Sequence, residues 1–177
     1  MEMRHHESST AEARGPRAAE RELARAVAEL RLALLEGGLR VALGRLNART
    51  RFRFTGVYRA DPPLLRNVYL VDRENPALDV SGAVCPLDET YCAITCAREA
   101  RFATRDARTD ERLVAHPARQ SVISYAGVPL RLAGGRAWGT LCHFDLRPRL
   151  LPAAETAVLE AFAPVLVDWL AGRGALA

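Results

Sequence analysis

Two β-hairpin signatures set between helical segments constrain this chain more than any other feature. In the first, Arg51-Phe52-Arg53-Phe54-Thr55-Gly56-Val57-Tyr58 is dense in aromatic and β-branched residues and reads as a strand. Asp61-Pro62-Pro63 then forces a turn, because proline fixes φ and lacks a donor, and Leu65 to Asp72 returns as the partner strand. In the second, Ser124 to Leu132 and Ala137 to Phe144 flank a tight turn at Gly134-Gly135. A third short strand is expected around Leu78 to Ser81, after Asn75-Pro76, and another at Arg101 to Thr104. Strands in this arrangement need apolar cover, which the helical segments must supply.

Residues 1 to 17 read as a disordered tail, polar and charged, closed by Gly15-Pro16 as a breaker. From Ala18 a leading helix over 18–36 carries Leu23, Val27, Leu30 and Leu34 on a narrow stripe, suited either to a sheet or to a second copy of the chain. Gly37-Gly38 should interrupt or kink it, since glycine is costly inside a helix, before Leu39, Leu43 and Leu46 resume the pattern. A middle helix is expected over Asp88 to Arg98, with Asp88 or Thr90 as its cap, and a short one from Thr109 that Pro117 limits. A final helix after Pro152 carries Val158, Leu159, Phe162, Leu166 and Trp169 or Leu170 on one face. Helices at both ends would cover one face of an antiparallel sheet, and the middle helix with its loops would roof the other: an α+β fold in one domain over 37–172.

Composition narrows the function classes. No apolar run approaches the ~20 residues that cross a bilayer, and the N-terminal segment lacks the apolar stretch of a signal peptide, so a cytoplasmic chain without membrane partners is expected. The net charge of +4 comes from 25 arginines, with no lysine, interleaved with 21 acidic residues. There is no basic run and no aromatic-plus-basic motif, so the charge reads as a mixed solvated surface and not as a nucleic-acid footprint. The four cysteines, Cys85, Cys92, Cys96 and Cys142, are expected to be reduced and do not form the paired Cys-x-x-Cys spacing of a structural zinc site.

The stretch from Asp88 to Pro148 resembles bacterial GAF domains. The matching pieces run in order: Glu89-Thr90-Tyr91-Cys92; Asp106 with Asp110-x-Arg112; His116-Pro117-x-Arg119; Ser124-Tyr125-x-Gly127-Val128-Pro129-Leu130; and Gly139-Thr140-Leu141-Cys142-His143-Phe144-Asp145 with Pro148. With the derived pattern, the likeness covers roughly Gly37 to Gly172. The resemblance implies a GAF-like fold, a sheet of about six antiparallel strands with terminal helices on one face and a roofed ligand pocket on the other. It also implies a sensory or regulatory role in binding a small molecule. Read as stand-alone, such a domain would signal as a homodimer or through a separate partner, such as a kinase or a transcription regulator.

Eight residues are candidate ligand contacts: Tyr91, Cys92, Asp106, Arg112, His116, Arg119, Tyr125 and Cys142. The tyrosines offer an aromatic body with a polar tip. Arginine offers a rigid fork for anions, for which Arg119 is the candidate, while Asp106 suits an Asp–Arg pair that pins its loop. No catalytic residue is assigned, and no cofactor is specified. Cys92 and Cys96 share a helical face that Cys142 could approach, which makes Cys92, Cys96, Cys142 and His143 the residues to consider for a metal or haem redox site; the bland reading is buried cysteine packing and a His143 hydrogen-bonded beside Asp145. The remaining alternative is a thiol enzyme resembling free methionine-(R)-sulfoxide reductase. Cys85 and Cys92 fall near two of that enzyme's cysteines at a shorter spacing, but the position of its third is about Ala118.

Overall fold

A computed structural model describes residues 15–176. Most of the proposed tail lies outside the described residues; Pro16 and Arg17, assigned to it, instead begin helix α1 (Pro16–Ala48). Proline at the first helical position costs nothing, because its missing N–H would have been unpaired there. The helix is kinked at Gly38, whose φ of 64° and ψ of −158° are open to glycine and strained for other residues. Trp169 locks the bend, its indole donating to the Leu34 carbonyl at 3.2 Å.

Six antiparallel strands form one sheet: β1 (Phe54–Asp61), β2 (Leu64–Asp72), β3 (Val84–Pro86), β4 (Phe102–Thr104), β5 (Ser124–Arg131) and β6 (Ala137–Asp145), in the spatial order β3-β2-β1-β6-β5-β4. The two hairpins are therefore joined through β1 and β6 at the sheet centre. Leu78 to Ser81 is not a strand. Asp79 accepts from the Ser81 N–H, Gly82 takes a φ of 82°, and the chain turns before Val84 to Cys85 pair with β2. Side-chain-to-backbone bonding of this kind competes with a ladder and here wins.

The middle helix, α2, is shorter than expected and spans Tyr91–Arg98, with a 3-10 turn at Leu87–Glu89 ahead of it. Thr90 occupies the cap position, but its hydroxyl donates back to the Leu87 carbonyl and caps nothing. Two further 3-10 turns, Glu111–Leu113 and Pro117–Gln120, stand where one short helix was expected, so Pro117 opens a turn as well as limiting one. The last helix, α3, runs Ala153–Ala171.

Side chains on one sheet face pack beneath α1 and α3. Val57, Leu141, Phe162 and Leu166 are wholly buried there with Leu30, Leu34 and Leu43. Each such side chain contributes roughly 1.5–3 kcal/mol on leaving water. Leu30 and Leu34 thus serve this core, joined by Ala26 and Ala33, whereas Leu23 and Val27 are half-buried. The opposite face carries a smaller cluster around Leu65, Tyr91, Phe102, Leu113 and Tyr125. Among the described residues no helix is long and apolar enough to cross a membrane.

Candidate functional site

The site follows from which strand residues reach the second face. Val57 opposes Tyr69 and Tyr58 opposes Asn67, so Val68 bulges out of the β1–β2 ladder and the facing of β2 changes there. Leu65 and Asn67 consequently point away from α1 and α3, whereas Tyr69 and Val71 pack with the helices. Along β6, Thr140, Cys142 and Phe144 share the second face while Leu141 serves the main core.

Between this face and α2 lies a cavity of about 160 Å³. Its floor is made by Tyr58, Leu65, Tyr125, Cys142 and Phe144; Thr90, Tyr91 and Cys92 form the roof; Ala118 and Val122 form a side wall. Cys85 and Glu89 stand at its margin, and among the described residues Glu89 is the one charged side chain in the lining. Larger grooves, of about 500 and 580 Å³, run along the flank of α3 past the exposed Arg101–Glu160 pair. The smaller cavity, unlike these grooves, gathers buried aromatic, hydroxyl and thiol groups at one point.

Two tyrosines of the floor lie over glycines two residues away. A Cβ on Gly56 would stand 2.6 Å from the Tyr58 ring, and one on Gly127 would stand 2.1 Å from the Tyr125 hydroxyl. These glycines serve close approach: each leaves space for the ring of its neighbour. Tyr125 then reaches Thr95 Oγ1 at 3.1 Å and Cys92 Sγ at 3.6 Å. Tyr91 donates to the Val122 carbonyl at 3.1 Å and meets Tyr125 edge-on at 5.6 Å. Burial pushes the Tyr91 hydroxyl up to about 12 and raises Tyr58 and Tyr125 well above the ordinary tyrosine value, so all three stay neutral hydrogen-bonding groups.

Of the eight candidates, Tyr91, Cys92, Tyr125 and Cys142 are thus brought together, and the other four are not in the lining. Asp106 grips Arg108 with both carboxylate oxygens, at 2.9 and 2.8 Å, so its partner is two residues away. Arg112 holds Asp110 bidentately, donates to the Ala103 carbonyl at 2.8 Å and lies over the Phe102 ring. Arg119, expected to meet an anion, donates instead to the carbonyls of Ala107 and Arg108. His116 caps the turn at Pro117, accepting from the Ala118 N–H at 3.2 Å, and packs on Tyr91 with ring centroids 4.6 Å apart. These four residues brace the loops between β4 and β5, which carry the side wall, and His116 alone of them also packs on the roof.

Of the residues considered for a metal, Cys92 and Cys142 share the cavity, and Cys96 and His143 lie elsewhere. Cys96 lies outside the cavity lining, with burial pushing its thiol up to about 12. His143 faces away from Cys142, among the main-core residues, where Nδ1 stands 2.7 Å from Thr55 Oγ1; Thr55, and not Asp145, is its partner. Among the described residues no three His, Cys, Asp or Glu side chains are placed to share an ion. Sequence reasoning missed Tyr58, Asn67 and Thr140. Tyr58 and Thr140 lay in expected strands with no sign of which sheet face α2 would cover, and Asn67 reaches that face only through the bulge at Val68.

His143 carries a consequence for pH. Asn47 donates to Thr55 Oγ1 at 2.8 Å, Thr55 Oγ1 in turn stands against Nδ1, and among the described residues Nε2 is buried without a partner. Burial, then the charge of Arg73, push the imidazole from 6.5 to about 3. Between those values the unfolded chain binds a proton that the folded chain refuses, so stability is complete above pH 6.5 and is lost as pH falls, by roughly 1.4 kcal/mol per unit. Urea midpoints should therefore drop between pH 7 and pH 5 in the wild type and much less in His143→Gln. Equal drops in both would contradict this origin. Asp72 and Asp110, held below the usual carboxylate range by Arg53 and Arg112, add their own loss only at lower pH.

The family model of the GAF domain matches residues 19–166. Among solved structures, the chain is similar to the GAF domain from an Acinetobacter phosphoenolpyruvate-protein phosphotransferase, at 18% identity and a TM-score of 0.66, covering 89% of this chain and 95% of that one. It is also similar to a type II free methionine-R-sulfoxide reductase from Thermoplasma acidophilum, at 15% identity and a TM-score of 0.60, covering 81% and 96%. A third likeness is to the chromophore-binding domain of a Stigmatella aurantiaca bacteriophytochrome, at 14% identity and a TM-score of 0.68, covering 93% and 63%. At these identities the likenesses establish the fold. No curated protein matches the chain.

Proposed function

The chain belongs to the GAF domain family, and from that premise we propose that it is a sensory or regulatory domain whose small-molecule ligand occupies the cavity between α2 and the sheet. The observation that carries this reading is the convergence of Tyr58, Tyr91 and Tyr125 with two buried thiols around one cavity that no arginine lines. Three neutral hydroxyls and apolar walls favour an uncharged ligand with an aromatic or heterocyclic face. The volume of about 160 Å³ is below the roughly 300–1,000 Å³ of drug-sized sites, which favours a compact metabolite over a tetrapyrrole. Tyr91, Cys92, Tyr125 and Cys142 are the proposed contacts, joined by Tyr58; Asp106, Arg112, His116 and Arg119 act by holding the loops around them. A thiol enzyme of the sulfoxide reductase type is disfavoured, since Ala118 puts a methyl group on the cavity wall where that chemistry would need sulfur.

The signal would pass through the sheet. Thr140 and Cys142 meet the ligand side while Leu141, between them, packs under α3, so a shift of β6 is felt by the terminal helices. Output then passes to a second copy or to a separate kinase or transcription regulator, with the exposed Leu32 and Leu35 of α1 as the proposed contact. A thermal-shift panel of small uncharged heterocycles and small anions tests the binding reading. At a hundredfold excess over Kd a true ligand stabilises by about 2.7 kcal/mol, a rise of roughly 5–10 °C. Uncharged compounds should produce it, and Ala118→Leu, which projects into the cavity, should abolish it. Stabilisation by anions alone, unaffected by Ala118→Leu, would overturn the reading.

A further inference from the structure

The thiols of the cavity carry an inference of their own, independent of any ligand. Cys92 is the second residue of α2, so its sulfur lies at the end of the helix where backbone N–H groups are unpaired. Thr140 donates to this sulfur at 3.1 Å and Tyr125 approaches it at 3.6 Å. Two hydroxyl donors on one sulfur favour its thiolate form. Cys142 follows Thr140 by two residues on the same face of β6, is 1% exposed, and lines the same cavity and packs in the same buried cluster as Cys92. Contact with Cys142 lowers Cys92, with Thr140 and Tyr125 adding to it against the cost of burial; burial and then the neighbouring Cys92 raise Cys142. The two thiols are thus unequal: the hydroxyls at hydrogen-bonding distance favour a thiolate at Cys92, and burial disfavours one at Cys142. Cys96 lies outside the cavity lining, and burial raises its thiol.

We propose that Cys92 and Cys142 are an oxidation-responsive pair, closed into a disulfide by small hydroperoxides that enter the cavity. The Cys92 thiolate attacks the O–O bond; a sulfur–oxygen bond forms, the O–O bond breaks, and the leaving oxygen takes a proton and departs as water or an alcohol. Cys92 becomes a sulfenic acid, oxidised by two electrons as the peroxide is reduced. The Cys142 sulfur then displaces that hydroxyl, which leaves as water with the Cys142 proton, and the S–S bond joins α2 to β6. A small-molecule thiol reverses the step by exchange, being oxidised to its own disulfide. The closed pair ties the roof of the cavity to its floor.

The test treats the full chain with equimolar hydrogen peroxide, alkylates remaining thiols after denaturation, and maps the peptides by mass. A Cys92–Cys142 disulfide, with Cys85 and Cys96 alkylated, is the expected product. In Cys142→Ala the Cys92 sulfenic acid should accumulate and be trapped by dimedone, and in Cys92→Ala thiol loss should slow by about tenfold or more. Wild-type mapping needs no variant to fold. Oxidation first at the exposed Cys85, a Cys85–Cys92 bridge, or thiol loss in Cys92→Ala at the wild-type rate would each overturn the proposal.

Discussion

Replacing Gly139 with alanine is expected to lower the stability of the protein by about 3 kcal/mol or more, at or beyond the upper end of ordinary overpacking. The added Cβ would stand 1.9 Å from the carbonyl oxygen of Tyr58 and 3.0 Å from the Cα of Arg59. Both are backbone atoms of β1, so no rotamer change relieves the clash. Strand β1 cannot retreat either, since it is hydrogen-bonded to β2 on its other side. The loss should rival Phe162→Ala, which empties the centre of the main core and costs roughly 3–5 kcal/mol. Against a total stability of about 5–15 kcal/mol, either change brings the fold near its limit. Gly44→Ala is the control, because nothing lies within 4 Å of its added Cβ and the residue is helical. It should be neutral or stabilising by up to about 1 kcal/mol. Urea denaturation of the three variants makes the comparison; a Gly139→Ala midpoint close to wild type would mean that β1 and β6 are not held as described.

Gly127→Ala should do the reverse, sparing much of the stability and removing ligand binding. Here the atoms in the way are the Tyr125 hydroxyl, 2.1 Å from the added Cβ, and two atoms of its ring at 2.5 and 2.8 Å, so the clash is with one side chain and not with backbone. Once the ring moves, its contacts with Thr95 and Cys92 are lost and it leaves the floor of the cavity. The stability cost should be about 1–3 kcal/mol. Affinity, which depends on the ring standing in place, should fall by tenfold or more, the equivalent of about 1.4 kcal/mol. Titration calorimetry with the best ligand from the thermal panel measures this. Unchanged affinity in Gly127→Ala would remove Tyr125 from the site.

The contrast between these glycines shows where sequence reasoning reached and where it stopped. Both hairpins, the break at Gly37-Gly38 and the last helix are local features, written in turn chemistry and periodicity, and all appear in the structure with boundaries moved by a few residues. The third strand was misplaced because Asp79, Ser81 and Gly82 bond among themselves and with β2 in a way that apolar content does not reveal. The cavity was harder still. One bulge at Val68 decides that Asn67 looks toward α2 beside Tyr58, and a single extra residue in a ladder leaves no compositional trace. Arginine chemistry misled for a related reason: a fork suited to an anion is equally suited to a carboxylate two residues away or to a loop carbonyl, and Arg112 and Arg119 took those partners. Tyr91, Cys92, Tyr125 and Cys142 were singled out by motif position alone, and the fold brings these four to one cavity.

A sensory role for this fold requires that the ligand sit in the cavity under α2. Intermolecular nuclear Overhauser effects between a bound ligand and the protein test it most directly. Contacts to the rings of Tyr58, Tyr91 and Tyr125, with none to Arg112 or Arg119, are the predicted result. Contacts confined to the groove beside Leu150 and Glu160, or to the arginines, would contradict it.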